Sequence, residues 1–277
     1  MNKYIVFILS VLCIVILFLG NQHWKNMSEK AGIEGKIATE KNLKKELEDK
    51  NNLINSLNPK NNKTQSMIDF LHYRALTQEK VIVSILGSNG TAGTGISNRS
   101  NGWPEILKNA IQSENEDLES LVLINHGYEG YSTSDFLKGK KIDLVIKDQP
   151  DLVIFENAQI SNHYQSIEIS RTENDLENIM IKLQKKLPNS KIIIISSNPV
   201  ANSKNKNNIG LNYLDYIKES KKVISKNNWT YIDSIEGINK QLKKENILLV
   251  DILAKDQTSL NDKGNVLWFN ALYEHFK

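Results

Sequence analysis

Four polar segments carry the residue types from which a hydrolytic site could be assembled. Gly87-Ser88-Asn89-Gly90-Thr91-Ala92-Gly93 follows one apolar run, and Asn125-His126-Gly127-Tyr128-Glu129-Gly130-Tyr131-Ser132-Thr133 follows a second. A polar stretch ending Ser161-Asn162-His163 follows a third, and Asp256-Gln257-Thr258-Ser259-Leu260-Asn261 lies near the C-terminus. A serine hydroxyl attacks an acyl carbon efficiently only when a base takes its proton, so Ser88 needs an imidazole within about 2.6–3.2 Å. His163 and His126 lie in polar loops and are the candidates; the blander reading makes each a surface histidine. Gly87, Gly90, Gly93 and Gly95 could cradle an anion at a helix start. No Lys-Ser/Thr follows them in P-loop spacing, however, and there is no GxGxxG. A single cysteine, Cys13, leaves no intrachain disulfide and no Cys-based zinc site. No metal and no cofactor are expected.

Those segments need a scaffold, and the hydropathy pattern supplies one. Val81–Leu86, Leu121–Ile124, Asp151–Phe155, Lys191–Ser196 and Trp229–Ile232 are short runs rich in β-branched and apolar residues. Helical periodicity fills the gaps at Trp103–Ile111, Ser132–Phe136, Asp175–Leu187, Leu211–Ile224 and Asp262–Phe276. Alternation of this kind predicts an α/β domain with a five-stranded parallel sheet covered by helices on both faces. In such sheets function sits at the carboxyl ends of the strands, where the polar segments fall.

In order and spacing the four segments resemble the SGNH (GDSL) hydrolase superfamily, whose blocks read GDSxTxG, N-x-G-x-x-G-x-[ST], G-x-N-D and D-x-x-H-P-N-x-x-G. The resemblance covers residues 80–277 and implies a three-layer SGNH-hydrolase (flavodoxin-like) α/β fold with strands in the order 2-1-3-4-5. It implies a Ser-His-Asp acyl-transfer site with an oxyanion hole, and the carry-over departs from the pattern at the reacting groups. The nucleophile position is Asn89 and the acidic position before it is Ser88. The base position is Ser259, with its Asp partner present as Asp256. Gly130 matches the oxyanion glycine, the third-block glycine falls near Ala158, and the third-block Asn is matched to Asn162 with a slip. An amide is no nucleophile and a serine no base near neutral pH, so loss of turnover is expected. Three functions follow: a catalytically impaired protein that binds acylated cell-envelope carbohydrate or a protein partner; an active esterase or deacetylase with relocated Ser88 and a base at His163 or His126; or a structural envelope protein.

Tyr4 to Gly20 is a run of 17 uncharged residues, the length that spans a bilayer. Lys3 precedes it, which places the N-terminus inside. A cleaved signal sequence fits less well, because no small-x-small site ends the run. Residues 1–21 therefore read as a membrane anchor, 22–79 as a charged helical stalk and 80–277 as the folded domain. The expected location is the cell membrane, single-pass, with the domain on the extracytoplasmic side. Leu43, Leu47, Lys50, Ile54 and Leu57 form a short seam, a weak case for a stalk-mediated dimer. Elsewhere composition is ordinary, 40% hydrophobic and 24% charged, which excludes wholesale disorder and a multi-span protein. A net charge of +3 gives no footprint for nucleic acid. Heavy use of Lys, Asn and Ile resembles bacterial sequence.

Overall fold

The computed structural model describes residues 2–62 and 64–277. The chain divides into one unit up to Ser56 and a second from Leu57 to Lys277. The first is a single helix, α1 (Lys3–Leu57), long and apolar enough to cross a membrane. Its 55 residues reach about 80 Å at 1.5 Å per residue. The apolar side chains from Tyr4 to Leu19 are exposed along this helix.

The expected stalk, 22–79, ends sooner than its charge pattern implied. α2 (Met67–Thr77) belongs to the globular unit, with Phe70 and Leu71 in the same buried cluster as strand and helix side chains. Ser66 caps it by accepting the Asp69 N–H. Arg74 then reaches the buried Asp151, Nε to Oδ1 2.6 Å, and Gln78 and the Ile82 N–H complete that carboxylate's partners. Burial of this apolar face explains why the folded unit begins well before residue 80.

The globular unit then alternates strand and helix: β1 (Ile82–Gly87), α3 (Asn89–Ala92), α4 (Trp103–Glu114), β2 (Val122–Gly127), α5 (Thr133–Lys138), α6 (Lys141–Lys147), β3 (Leu152–Glu156), α7 (Gln159–Tyr164), α8 (Ile169–Lys186), β4 (Lys191–Ile195), α9 (Tyr213–Lys226), β5 (Tyr231–Ile232), α10 (Ser234–Glu245) and α11 (Asp262–Tyr273). The strands form one sheet in the order β2-β1-β3-β4-β5, and every pairing is parallel.

Side chains alternate across the sheet with period two. Val83, Ile85, Leu152, Ile154, Ile193 and Ile195 pack with Trp103 of α4 and Trp268 of α11. Leu86, Val153, Phe155 and Ile194 face Phe136, Ile142, Leu176 and Ile179 on the other side. Trp103 and Trp268 are fully buried with ring centroids 5.3 Å apart, in the tilted geometry aromatic pairs prefer. Both faces are therefore closed, and open loops remain at the strand ends.

Candidate functional site

At the end of β1 the chain turns through Ser88 into α3, a four-residue helix. Three neighbours require this turn to be tight. A Cβ at Gly87 would lie 2.1 Å from Thr91 Oγ1, one at Gly90 2.3 Å from the Trp268 ring, and one at Gly127 2.4 Å from the Ala92 backbone nitrogen. The β2 loop is tied to the same turn by Asn125, whose Nδ2 donates to the Thr91 carbonyl and whose Oδ1 accepts the Gly127 N–H. The glycines and Asn125 thus serve backbone approach, independently of any chemistry at Asn89.

Asn89 is half-buried, and its Oδ1 accepts a 2.5 Å hydrogen bond from the Gly130 N–H. Gly130 has φ 75° and open space where a Cβ would sit, so its N–H is presented toward Asn89 from a left-handed turn. The Gly130 N–H is therefore already accepted by a side-chain amide carbonyl of the chain.

Ser88 is buried; its N–H donates to Glu156 Oε2 (2.9 Å) and its hydroxyl pairs with Ser161 Oγ (2.6 Å). No histidine contacts it among the described residues. His163 Nε2 donates to the Asn205 carbonyl, 3.1 Å, and its ring packs edge-on to Tyr164, Tyr213 and Tyr216. His126 Nε2 lies 2.6 Å from Asp148 Oδ2, which also accepts the Ser84 hydroxyl. Neither histidine is placed as a base for Ser88, because each projects from an element whose side-chain direction leads to other partners.

The segment before α11 closes on itself. Asp256 accepts the Ser259 hydroxyl (2.7 Å), the Ser259 N–H (2.8 Å) and the Thr258 N–H (2.9 Å). Burial pushes the Asp256 carboxyl up, but these hydrogen bonds outweigh it and hold the group below the usual range. Asp256 thus takes these hydrogen bonds from within its own segment, with none from an imidazole among the described residues. Asn198, in the loop after β4, binds the Thr258 carbonyl through Nδ2 (2.7 Å) and lies against Gly90, so this segment borders the turn that carries Asn89.

Asn162 does not share a hydrogen bond with Asn89 or Gly130. Its Oδ1 accepts the Thr133 N–H (2.9 Å) and hydroxyl (3.2 Å), tying α7 to α5. The asparagine that directly follows β3 is Asn157, fully buried, with neither Oδ1 nor Nδ2 hydrogen-bonded. β3 ends at Glu156, one residue later than its apolar run, so Asn157 is the first residue of the loop at the strand's carboxyl end.

Glu156 was equally hidden in the sequence, although an acid closing the run Asp151-Leu152-Val153-Ile154-Phe155 is itself a signal. It is fully buried and accepts from the Ser88 N–H, the Thr91 N–H and hydroxyl, and the Ser197 hydroxyl at 2.7–3.2 Å. Burial raises its pKa above the ordinary carboxyl value of 4.5 despite those donors. A folded-state pKa above the unfolded one gives stability that is intact below about pH 4.5 and is lost as pH rises through the folded value. Glu156→Gln removes this titration. The stability of wild type relative to Glu156→Gln, from urea unfolding at pH 4 and pH 8, is expected to fall between the two; an unchanged difference would refute a raised carboxyl.

No protein-family profile matches the sequence, and no curated protein matches it. Solved structures do. A GDSL-like lipase of Parabacteroides merdae aligns with TM-score 0.58 and 15% identity over 71% of this chain and 95% of its own. The psychrotrophic esterase EstA of Pseudoalteromonas sp. aligns with TM-score 0.54 and 18% identity over 70% and 95%. The acetyl xylan esterase AlAXEase gives 0.55 and 20% over 70% and 98%. The globular unit therefore has an SGNH/GDSL hydrolase-like fold.

Proposed function

We propose that this SGNH/GDSL-fold chain is a membrane-anchored, extracytoplasmic protein that has lost ester hydrolysis and uses its cleft to bind acylated cell-envelope carbohydrate. One observation carries the reading: Asn89 holds the Gly130 N–H with its own side-chain carbonyl, while Ser259 saturates Asp256. The nucleophile and base positions are thereby committed to structural hydrogen bonds. In a Ser-His-Asp site, losing one of the two central members costs roughly 10⁶-fold in rate. The relocated-esterase reading finds less support, because the Ser88 hydroxyl is paired with Ser161 and not with an imidazole. A fluorophosphonate probe, which labels activated serines, is therefore expected to leave the wild-type protein unmodified; labelling lost in Ser88→Ala would replace this reading with the rearranged enzyme.

The anchor reading rests on the apolar first third of α1 and on Lys3 before it. Protease added to intact cells or protoplasts is expected to digest the globular unit. Full protection, with digestion only after lysis, would put it on the cytoplasmic side.

A further inference from the structure

A second polar pocket lies beside the site, between the end of α7 and the loop 202–208. The loop is built. Asn207 donates through Nδ2 to the His163 carbonyl and meets the Tyr216 hydroxyl, both at 3.0 Å, and its Oδ1 accepts the Ile209 and Leu211 N–H groups. His163 holds the Asn205 carbonyl from the other side. What remains lining the pocket is unspent. Ser166 stands at φ 56° with a buried hydroxyl that has no partner. Among the described residues the side chains of Asn202, Asn205 and Asn208 have no hydrogen bond. Tyr164 presents an aromatic face that is 60% exposed. Burial raises the pKa of its hydroxyl, and the charge of Asp256 adds to that rise.

We propose that this pocket is a subsite for one neutral sugar ring of a glycan, seated on Tyr164 and hydrogen-bonded by the free amides and Ser166. The inference rests on the reading of the cleft as a binder of acylated carbohydrate and adds where the sugar sits. Side-chain amides pair a donor with an acceptor, which matches vicinal hydroxyls, and an exposed aromatic face suits the C–H face of a pyranose. Apart from Lys206 and His163 the lining is uncharged and polar and holds no acid, which suits a neutral polyhydroxyl ligand. At about 270 Å³ the pocket is at the small end for organic ligands and takes a single ring.

The test is calorimetric titration of the full-length protein in detergent micelles with β-1,4-mannotetraose and with its O-acetylated form. Tyr164→Ala and the double variant Asn202→Ala/Asn208→Ala change exposed side chains, and unchanged melting curves establish that they fold. Both saccharides are expected to bind, and both variants to weaken binding at least tenfold. If the two saccharides bind equally and binding still depends on Tyr164, the subsite stands and recognition of the acyl group fails. If the acetylated form is preferred but neither variant matters, the subsite is overturned while the cleft reading survives. Absence of any binding overturns the inference.

Discussion

Placing serine at 89 and histidine at 259 in the same chain is expected to produce an esterase where wild type has none. Asn89→Ser releases the Gly130 N–H that the amide now occupies. Ser259→His puts an imidazole three residues after Asp256, which at present accepts the Ser259 hydroxyl and would then orient the ring. General-base catalysis contributes about 10²–10⁴-fold, so p-nitrophenyl acetate hydrolysis is expected to rise about 100-fold over the wild-type background. Each single variant is expected to stay at background, since nucleophile and base act as a unit. Purely additive effects, or a double variant as inert as wild type despite correct folding, would show that the frame no longer supports the chemistry.

Glu156→Ala carries the largest expected loss of stability. Its carboxylate is the common acceptor for the β1 turn and for Ser197. Truncation strands two backbone N–H groups, those of Ser88 and Thr91, in a site with no water access from the sheet side. An unsatisfied buried donor costs about 1–3 kcal/mol, and the vacated volume adds a cavity cost, giving at least about 3 kcal/mol. For a unit of this size that corresponds to a fall of about 6–12 °C in melting temperature, measurable by circular dichroism. Glu156→Gln retains one acceptor oxygen and is expected to lose less than half as much. A Glu156→Ala protein that melts with wild type would mean that the β1 turn is held by the glycine contacts alone.

These expectations rest on a sequence that was legible in part. All five strands follow from apolar runs, because buried parallel strands need β-branched residues on both faces, whereas their order follows only from the family resemblance. The fifth run shrinks to Tyr231–Ile232, since only Ile194 and Ile195 pair with it. α2 was read as stalk because charged residues flank it, and only packing against the core distinguishes Phe70 and Leu71 from a solvated spacer. α6 was missed because its seven residues make under two turns, too few to show a helical period, and α10 because its apolar residues are sparse among charged and polar ones.

At the site, the substitutions at 89 and 259 were legible because Gly87, Thr91, Gly93, Asp256, Asn261 and Gly264 fix the register around them. Asn157 was not, because no glycine marks its block and an isolated asparagine after a strand carries no register. Glu156 was passed over for a related reason. Its role depends on donors that lie more than sixty residues before it at Ser88 and Thr91 and about forty after it at Ser197, which no local pattern records.

The central claim, that the cleft binds and does not turn over, is tested most directly by ester hydrolysis of the wild-type protein. With p-nitrophenyl acetate at neutral pH, the folded full-length protein is expected to match a heat-denatured control. Turnover well above that control, abolished by Ser88→Ala, would contradict the account and establish Ser88 as a working nucleophile.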